Sequence, residues 1–183
     1  IFNMSASFQI EEDGLDHQDP MPDVEIFKDL PSEHQLRKKI IDKLPDEYKE
    51  SFNKEWPVEV RPINPVDLMS PEPKEPQNYI WFKARSSLPD IVSLHQCVLA
   101  YMSDMTLLDT CTNPHGVNFM NPNLHSASLD HAMWFHRPFK ADEWLLYHQD
   151  SPSASGARGF NRGSIFDLNG NLIASVAQEG LIR

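Results

Sequence analysis

The stretch IVSLHQCVLAYMSDMTLL, residues 91–108, is the one long apolar helix signal in the chain, and whatever else folds must provide a surface for it. Leu94, Val98, Tyr101, Met105 and Leu108 recur at steps of three and four, and Cys97 and Met102 widen the stripe, so one face of a helix is apolar. At about 1.5 Å per residue such a helix is roughly 27 Å long, enough to run along a whole sheet. Asp90, after Pro89, is expected to cap its first turn, and the Asn113, Pro114, His115, Gly116 cluster marks a stop beyond it. Asp104 falls on the flank of the stripe, where an ionised group is expensive unless it has partners.

The chain has 183 residues and 40% apolar content, the measure of one good-sized domain. A formal charge of −11 argues against nucleic acid and against an anionic membrane surface as partners. The charge is uneven. Residues 1–90 carry 11 Lys and Arg against 19 Asp and Glu, with 11 of the 15 prolines, whereas residues 91–183 carry 5 against 8 and six of the seven glycines. The first half therefore reads as linker and surface, the second as the packed unit. With two cysteines, no secretory apolar segment and no run of 18 apolar residues, a soluble protein of the cytoplasm or an organelle, not secreted, is expected. Ile1 opens the chain inside an apolar run without an initiator Met, which reads as a fragment of a longer protein.

Residues 1–9 have strand composition and dissolve into an acidic, proline-containing stretch. Ser32 with Gln35 forms a capping box ahead of a short amphipathic helix, and Pro45-Asp46 starts another turn through Phe52. Six prolines between Trp56 and Pro76 predict extended connector with one edge strand at 58–61. Strands are expected at 78–85, as one long strand over 125–139, from 143 to 149, at 159–166 and at 172–178. Asn169-Gly170 between the last two is the strongest hairpin signal, suited to a type I′ turn. The pattern of the second half is α+β: an antiparallel sheet wrapped around one long helix is a hotdog fold, and an unrelated α+β sandwich gives a similar pattern, so periodicity supports the class and not the name.

Three polar residues stand in apolar settings: Asp104 on the helix flank, Ser128 early in the long strand and Gln178 at the end of the last strand. A carboxylate, a hydroxyl and an amide converging on one point can hold a water, the carboxylate taking its proton as it attacks an acyl carbon. His95, His131 and His136 are alternative bases or ligands, but they lack metal-site spacing and read as satisfied residues beside apolar runs; no metal site is expected. The serines of 153–156 lack the flanking glycines of a nucleophile elbow. Arg137, Arg158 and Arg162, together with Lys140, are candidates for meeting phosphates.

LDHAMWFHRPF at 129–139, EWLLYHQDSPSASGARGF at 143–160 and ASVAQEG at 174–180 resemble the acyl-CoA thioesterase II family of double hotdog enzymes. SASFQ with the downstream HQDPMP resembles the end of that family's first hotdog repeat, and VEVRP the start of its second. The resemblance implies that 1–9 is the last strand of an otherwise missing first repeat, 10–77 a linker and 78–183 the C-terminal hotdog domain. It implies hydrolysis of fatty acyl-CoA to free acid and CoA without a cofactor, with Asp104 as the catalytic aspartate, Gln178 as the glutamine, and Ser128 at a hydroxyl position often held by threonine. It also implies acyl-CoA as substrate, whose phosphates Arg137, Arg158 and Arg162, singled out above for their charge, would then contact, a second hotdog repeat from the same full-length chain or another chain as partner, a homo-oligomer, and a cytoplasmic or peroxisomal location. The rival reading is a non-catalytic hotdog module that binds acyl-CoA or pairs with another hotdog.

Overall fold

A computed structural model describes residues 2–10 and 12–183. Ile1, the first residue of the strand expected at 1–9, and Glu11 in the linker lie outside them; residues 2–10 run as exposed chain, and among the described residues they have no sheet partner.

The core element is a seven-stranded antiparallel sheet, β1 (Val58–Pro62), β2 (Gln77–Ala84), β3 (Ser126–Ser128), β4 (Ala132–Phe135), β5 (Leu145–Ser155), β6 (Arg158–Phe166) and β7 (Leu172–Ile182). Its order is β1-β2-β5-β6-β7-β3, with β4 also paired to β7. The expected single strand over 125–139 is thus two short ones. Both pair with β7, β3 opposite Gly180–Ile182 and β4 opposite Ala174–Ala177, and residues 129–131 leave the ladder between them.

The central helix α3 (Val92–Asp104) lies on one face of this sheet, preceded in the chain by α1 (Glu33–Ile40) and α2 (Asp46–Asn53). At 13 residues α3 is shorter than its periodicity promised. Met105 N–H already turns back to Met102, three residues away, and a 3-10 segment, Leu108–His115, follows. Side chains of this segment capture carbonyls three residues back, Thr112 that of Asp109 at 2.8 Å and Cys111 that of Leu108 at 3.0 Å, which suits the tighter helix. Gly116, at φ 60°, ends it. Asp90 does not cap α3; the N-cap is Ile91, with no side-chain hydrogen bond.

The face that α3 buries also differs from the expected stripe. His95, Leu99, Met102 and Ser103 turn to the sheet, while Tyr101 is 58% exposed and Cys97 is exposed as well. The helix is apolar on more than one side, and periodicity alone cannot say which side meets the chain's own sheet. Leu99, Met102 and Leu107 pack with Val60, Phe82, Leu145, Tyr147 and Ile165 in the main core. Close approach is set by glycines. A Cβ at Gly163 would stand 2.2 Å from Tyr147 Cε2, and one at Gly180 would stand 2.2 Å from Leu108 Cδ1, so Gly163 makes room for the Tyr147 ring of neighbouring β5 and Gly180 lets the 3-10 segment settle onto β7.

On the opposite face of the sheet, Trp81, Leu146 and Phe166 are covered by the N-terminal segment: Trp81 Nε1–H donates to Glu25 O at 2.8 Å, Phe27 stacks on Trp144, and the Gln18 amide bridges to Gly170 O and Leu172 N. The capping box at Ser32 forms, with Gln35 N–H donating to Ser32 Oγ at 3.2 Å and Ser32 N–H to Gln35 Oε1 at 2.8 Å. The tightest hairpin, however, is not at Asn169-Gly170. Gly156 and Ala157, at φ 59° and 64°, make the two-residue turn between Ser155 and Arg158. Asn169 keeps a negative φ because the Asp167 carboxylate accepts from the N–H groups of Asn169 and Asn171 and opens the loop to five residues.

Candidate functional site

Asp104 is the last residue of α3, its side chain 54% exposed. The chain beyond it is tied down: Gln149 on β5 donates to Thr106 Oγ1 at 2.7 Å and accepts from Thr110 Oγ1 at 3.2 Å, so the end of α3 rests at a fixed height over the sheet. On β7, Val176, Gln178 and Gly180 alternate with Ala177 and Glu179 and point to the helix side. Gln178 thereby reaches Asp104. Its Nε2 donates to Asp104 Oδ1 at 2.5 Å and also contacts His131 Nδ1 at 3.1 Å, the two partners lying 74 and 47 residues away in sequence.

An amide nitrogen can only donate, so His131 Nδ1 is the acceptor and its proton sits on Nε2. That N–H faces Ser103 Oγ at 2.8 Å, and Ser103 in turn donates to Ala100 O at 3.0 Å. The result is a connected set of bonds that runs outward from Gln178, which donates to Asp104 on one side and, on the other, to His131, which donates to Ser103. His131 is aimed inward by the break between β3 and β4, where Asp130 Oδ1 accepts from Glu179 N–H at 2.7 Å and Leu129 N–H donates to Glu179 O. Burial pushes the His131 imidazole below its usual 6.5, against the opposing pull of Asp104 and Asp130, and holds it neutral.

A protonated His131 would set an N–H against the Gln178 amide and turn it away from Asp104. Because the neutral form is favoured by folding, the stability this contributes is complete above the unfolded value of 6.5 and is lost as pH falls from there through the lower folded value. The melting temperature is expected to decline as pH falls below about 6.5, and less steeply in His131→Gln; equal slopes would contradict the shift.

Ser128 joins β7 through β3. It is paired with Gly180, two residues and about 7 Å along β7 from Gln178, and so stands on the same sheet face. Its side chain is exposed, and among the described residues it makes no hydrogen bond to Asp104 or Gln178. The structure brings Asp104 and Gln178 into contact and sets His131 and Ser103 beside them. Ser103 escaped the sequence reading because the buried stripe was drawn one position off; four residues after Leu99, it is a polar residue on a buried face. His95 and His136 are occupied elsewhere, His95 Nδ1 accepting from Ala141 N–H at 3.0 Å and His136 meeting Ser175 Oγ at 2.8 Å.

The three arginines do not converge on Asp104. Arg158 pairs with Glu179 at 2.6 Å and Arg162 with both Asp150 oxygens, all on the side of the sheet away from α3, and Arg137 is held by Leu172 O and the Asp16 carboxylate of the N-terminal segment. Their alternation with Gly159, Asn161 and Gly163 along β6 puts Arg158 and Arg162 outward, a parity that composition does not reveal. Among the described residues no three His, Cys, Asp or Glu side chains are grouped to hold a metal ion, and no helix is long and apolar enough to cross a membrane.

A sequence model of the acyl-CoA thioesterase family matches residues 47–181. The chain is 38% identical over 189 residues to acyl-CoA thioesterase 2 of Haemophilus influenzae, covering 100% of this chain and 64% of that protein. Among solved structures, an acyl-CoA thioesterase II from Mycobacterium marinum superposes with a TM-score of 0.71 at 42% identity, over 96% of this chain and 60% of that one. A protein of unknown function with a hot dog fold from Alicyclobacillus acidocaldarius gives a TM-score of 0.66 at 16% identity, over 94% of this chain and 58% of that one, which speaks to fold alone. The architecture is therefore a hotdog, and the chain spans about 60% of the length of the relatives it matches.

Proposed function

The chain belongs to the acyl-CoA thioesterase family, and on that premise we propose that the protein containing it hydrolyses fatty acyl-CoA thioesters to free acid and CoA, with Asp104 as general base. The observation that carries this reading is the hydrogen bond from Gln178 to Asp104, which ties up Oδ1 and leaves Oδ2 for a water. Water attacks the thioester carbonyl carbon and gives its proton to Asp104; collapse of the tetrahedral intermediate breaks the C–S bond, and the carboxylic acid returns the proton to the departing CoA thiolate. In this reading Gln178 orients the carboxylate, its two N–H groups being committed to Asp104 and His131, and Ser128, on the same sheet face, is left free to hold the water or the substrate.

A carboxylate that is half in solvent is a poor base for a water-excluding reaction, so the site needs a cover. The exposed side of α3, with Val92 and Tyr101, and the exposed Leu129, Trp134 and Phe135 at the β3 and β4 edge form the surface to be covered. A first hotdog repeat supplied by the remainder of a longer chain, or by another chain in a homo-oligomer, fits the shortfall in length against the relatives. It would also give residues 2–9 a sheet to join. The cytoplasm or the peroxisome, where acyl-CoA is met, completes the reading.

The test is release of free CoA thiol from a medium-chain or long-chain acyl-CoA by the full-length protein and by residues 1–183 alone. Turnover by the former, and much less by the latter, is expected. Binding of acyl-CoA by the full-length protein without thiol release would replace hydrolysis with the non-catalytic module.

A further inference from the structure

Directly opposite Gln178, on β6, stands Asn161, with its side chain on the same α3-facing side. Both residues are 0% exposed. Gln178 Oε1 and both amide atoms of Asn161 are buried with no oxygen or nitrogen partner among the described residues, the Asn161 amide having beside it the weakly bonding Cys111 thiol, which already donates to Leu108 O. Buried amides are rarely left so, and three such atoms on two facing side chains are a matched set: one donor group and two acceptors. The two Cβ atoms of a cross-strand pair stand about 4.5 to 5.5 Å apart, so both amide ends come within reach of one water. The 3-10 segment closes the space from above, Cys111 lying over Gly159 two residues along β6 from Asn161, so the pair is shut off from bulk solvent.

We propose that Asn161 and Gln178 hold one internal water and that Asn161 is thereby a positioning residue, acting on Asp104 through Gln178. The water donates to Gln178 Oε1 and Asn161 Oδ1 and accepts from Asn161 Nδ2, the three bonds a buried water typically makes. Its donation to Oε1 fixes which end of the Gln178 amide faces the site. With the amide reversed, Oε1 would oppose the Asp104 carboxylate and His131 Nδ1, an acceptor against two acceptors. The inference rests on Asp104 acting as the base, and it adds a residue that the chain from Ser103 to Asp104 does not include.

The test joins a crystal structure of the full-length protein with kinetics. A water within hydrogen-bonding distance of both amides is expected, and a direct bond between the amides, or no water there, overturns the proposal. Asn161→Leu is expected to lower kcat about tenfold with KM within about twofold, Asn161→Ser to recover most of that, and Asn161→Leu to cost nothing further in a Gln178→Ala background. An unchanged kcat in Asn161→Leu, or the same loss repeated in that background, overturns it. If Asp104→Asn and Gln178→Ala are impaired while Asn161→Leu is not, this inference alone falls. If those two retain full kcat, the hydrolytic reading falls and the positioning role falls with it.

Discussion

Asp104→Asn in the full-length protein is expected to lower kcat on an acyl-CoA by about two to four orders of magnitude, the usual worth of a general base, with KM changed by less than about threefold. The substitution keeps the shape and an oxygen that still accepts from Gln178 Nε2, so the orientation of the site survives and only proton acceptance is lost. Folding should be indifferent, since the side chain is 54% exposed at the end of α3, and an unchanged melting temperature is the control. The alternative base is on hand. His131 is neutral and close, 3.8 Å from Asp104 Oδ1, although its Nδ1 lone pair faces Gln178 and not solvent. Near-normal kcat in Asp104→Asn, together with its abolition in a folded His131→Ala, would transfer the role to the imidazole.

The second large effect is on stability. Leu99→Ala removes the most enclosed contact between α3 and the sheet, a side chain 0% exposed among Val60, Phe82 and Tyr147, and is expected to cost about 2 to 5 kcal/mol, or roughly 4 to 20 °C in melting temperature for a domain of this size. Tyr101→Ala on the same helix should cost this chain less than about 0.5 kcal/mol, because the ring is already in solvent. In the full-length protein the same Tyr101→Ala should cost measurably more. Equal small costs in both would mean that nothing covers that side of α3, and thermal melts of the two proteins decide it.

Helix periodicity puts Tyr101 in the apolar stripe and leaves Leu99 out of it, whereas the fold buries Leu99 and exposes Tyr101, and the contrast between them shows where local reading ends. Features that depend on neighbours in the chain were readable: the Ser32 and Gln35 capping box, the alternation of β2, β5, β6 and β7, and the stop at Gly116 all follow from hydrogen bonds and side-chain directions within a few residues. The preference for Gly156-Ala157 over Asn169-Gly170 as the tight turn was not, since the Asp167 carboxylate widens a loop that residue type alone would close.

At the site the division is the same. Asp104 and Gln178 could be singled out because a polar group in an apolar setting is costly and needs a reason, whatever the fold. Their meeting across 74 residues, the inward turn of His131 at a strand break, the outward parity that gives Arg158 and Arg162 to Glu179 and Asp150, and the facing of Asn161 and Gln178 were decided only when β7 paired with β3, β4 and β6, β6 paired with β5, and α3 settled on the sheet. A slip of a single residue would send every one of these side chains to the other face, and register is set by long-range packing that no short stretch of sequence contains.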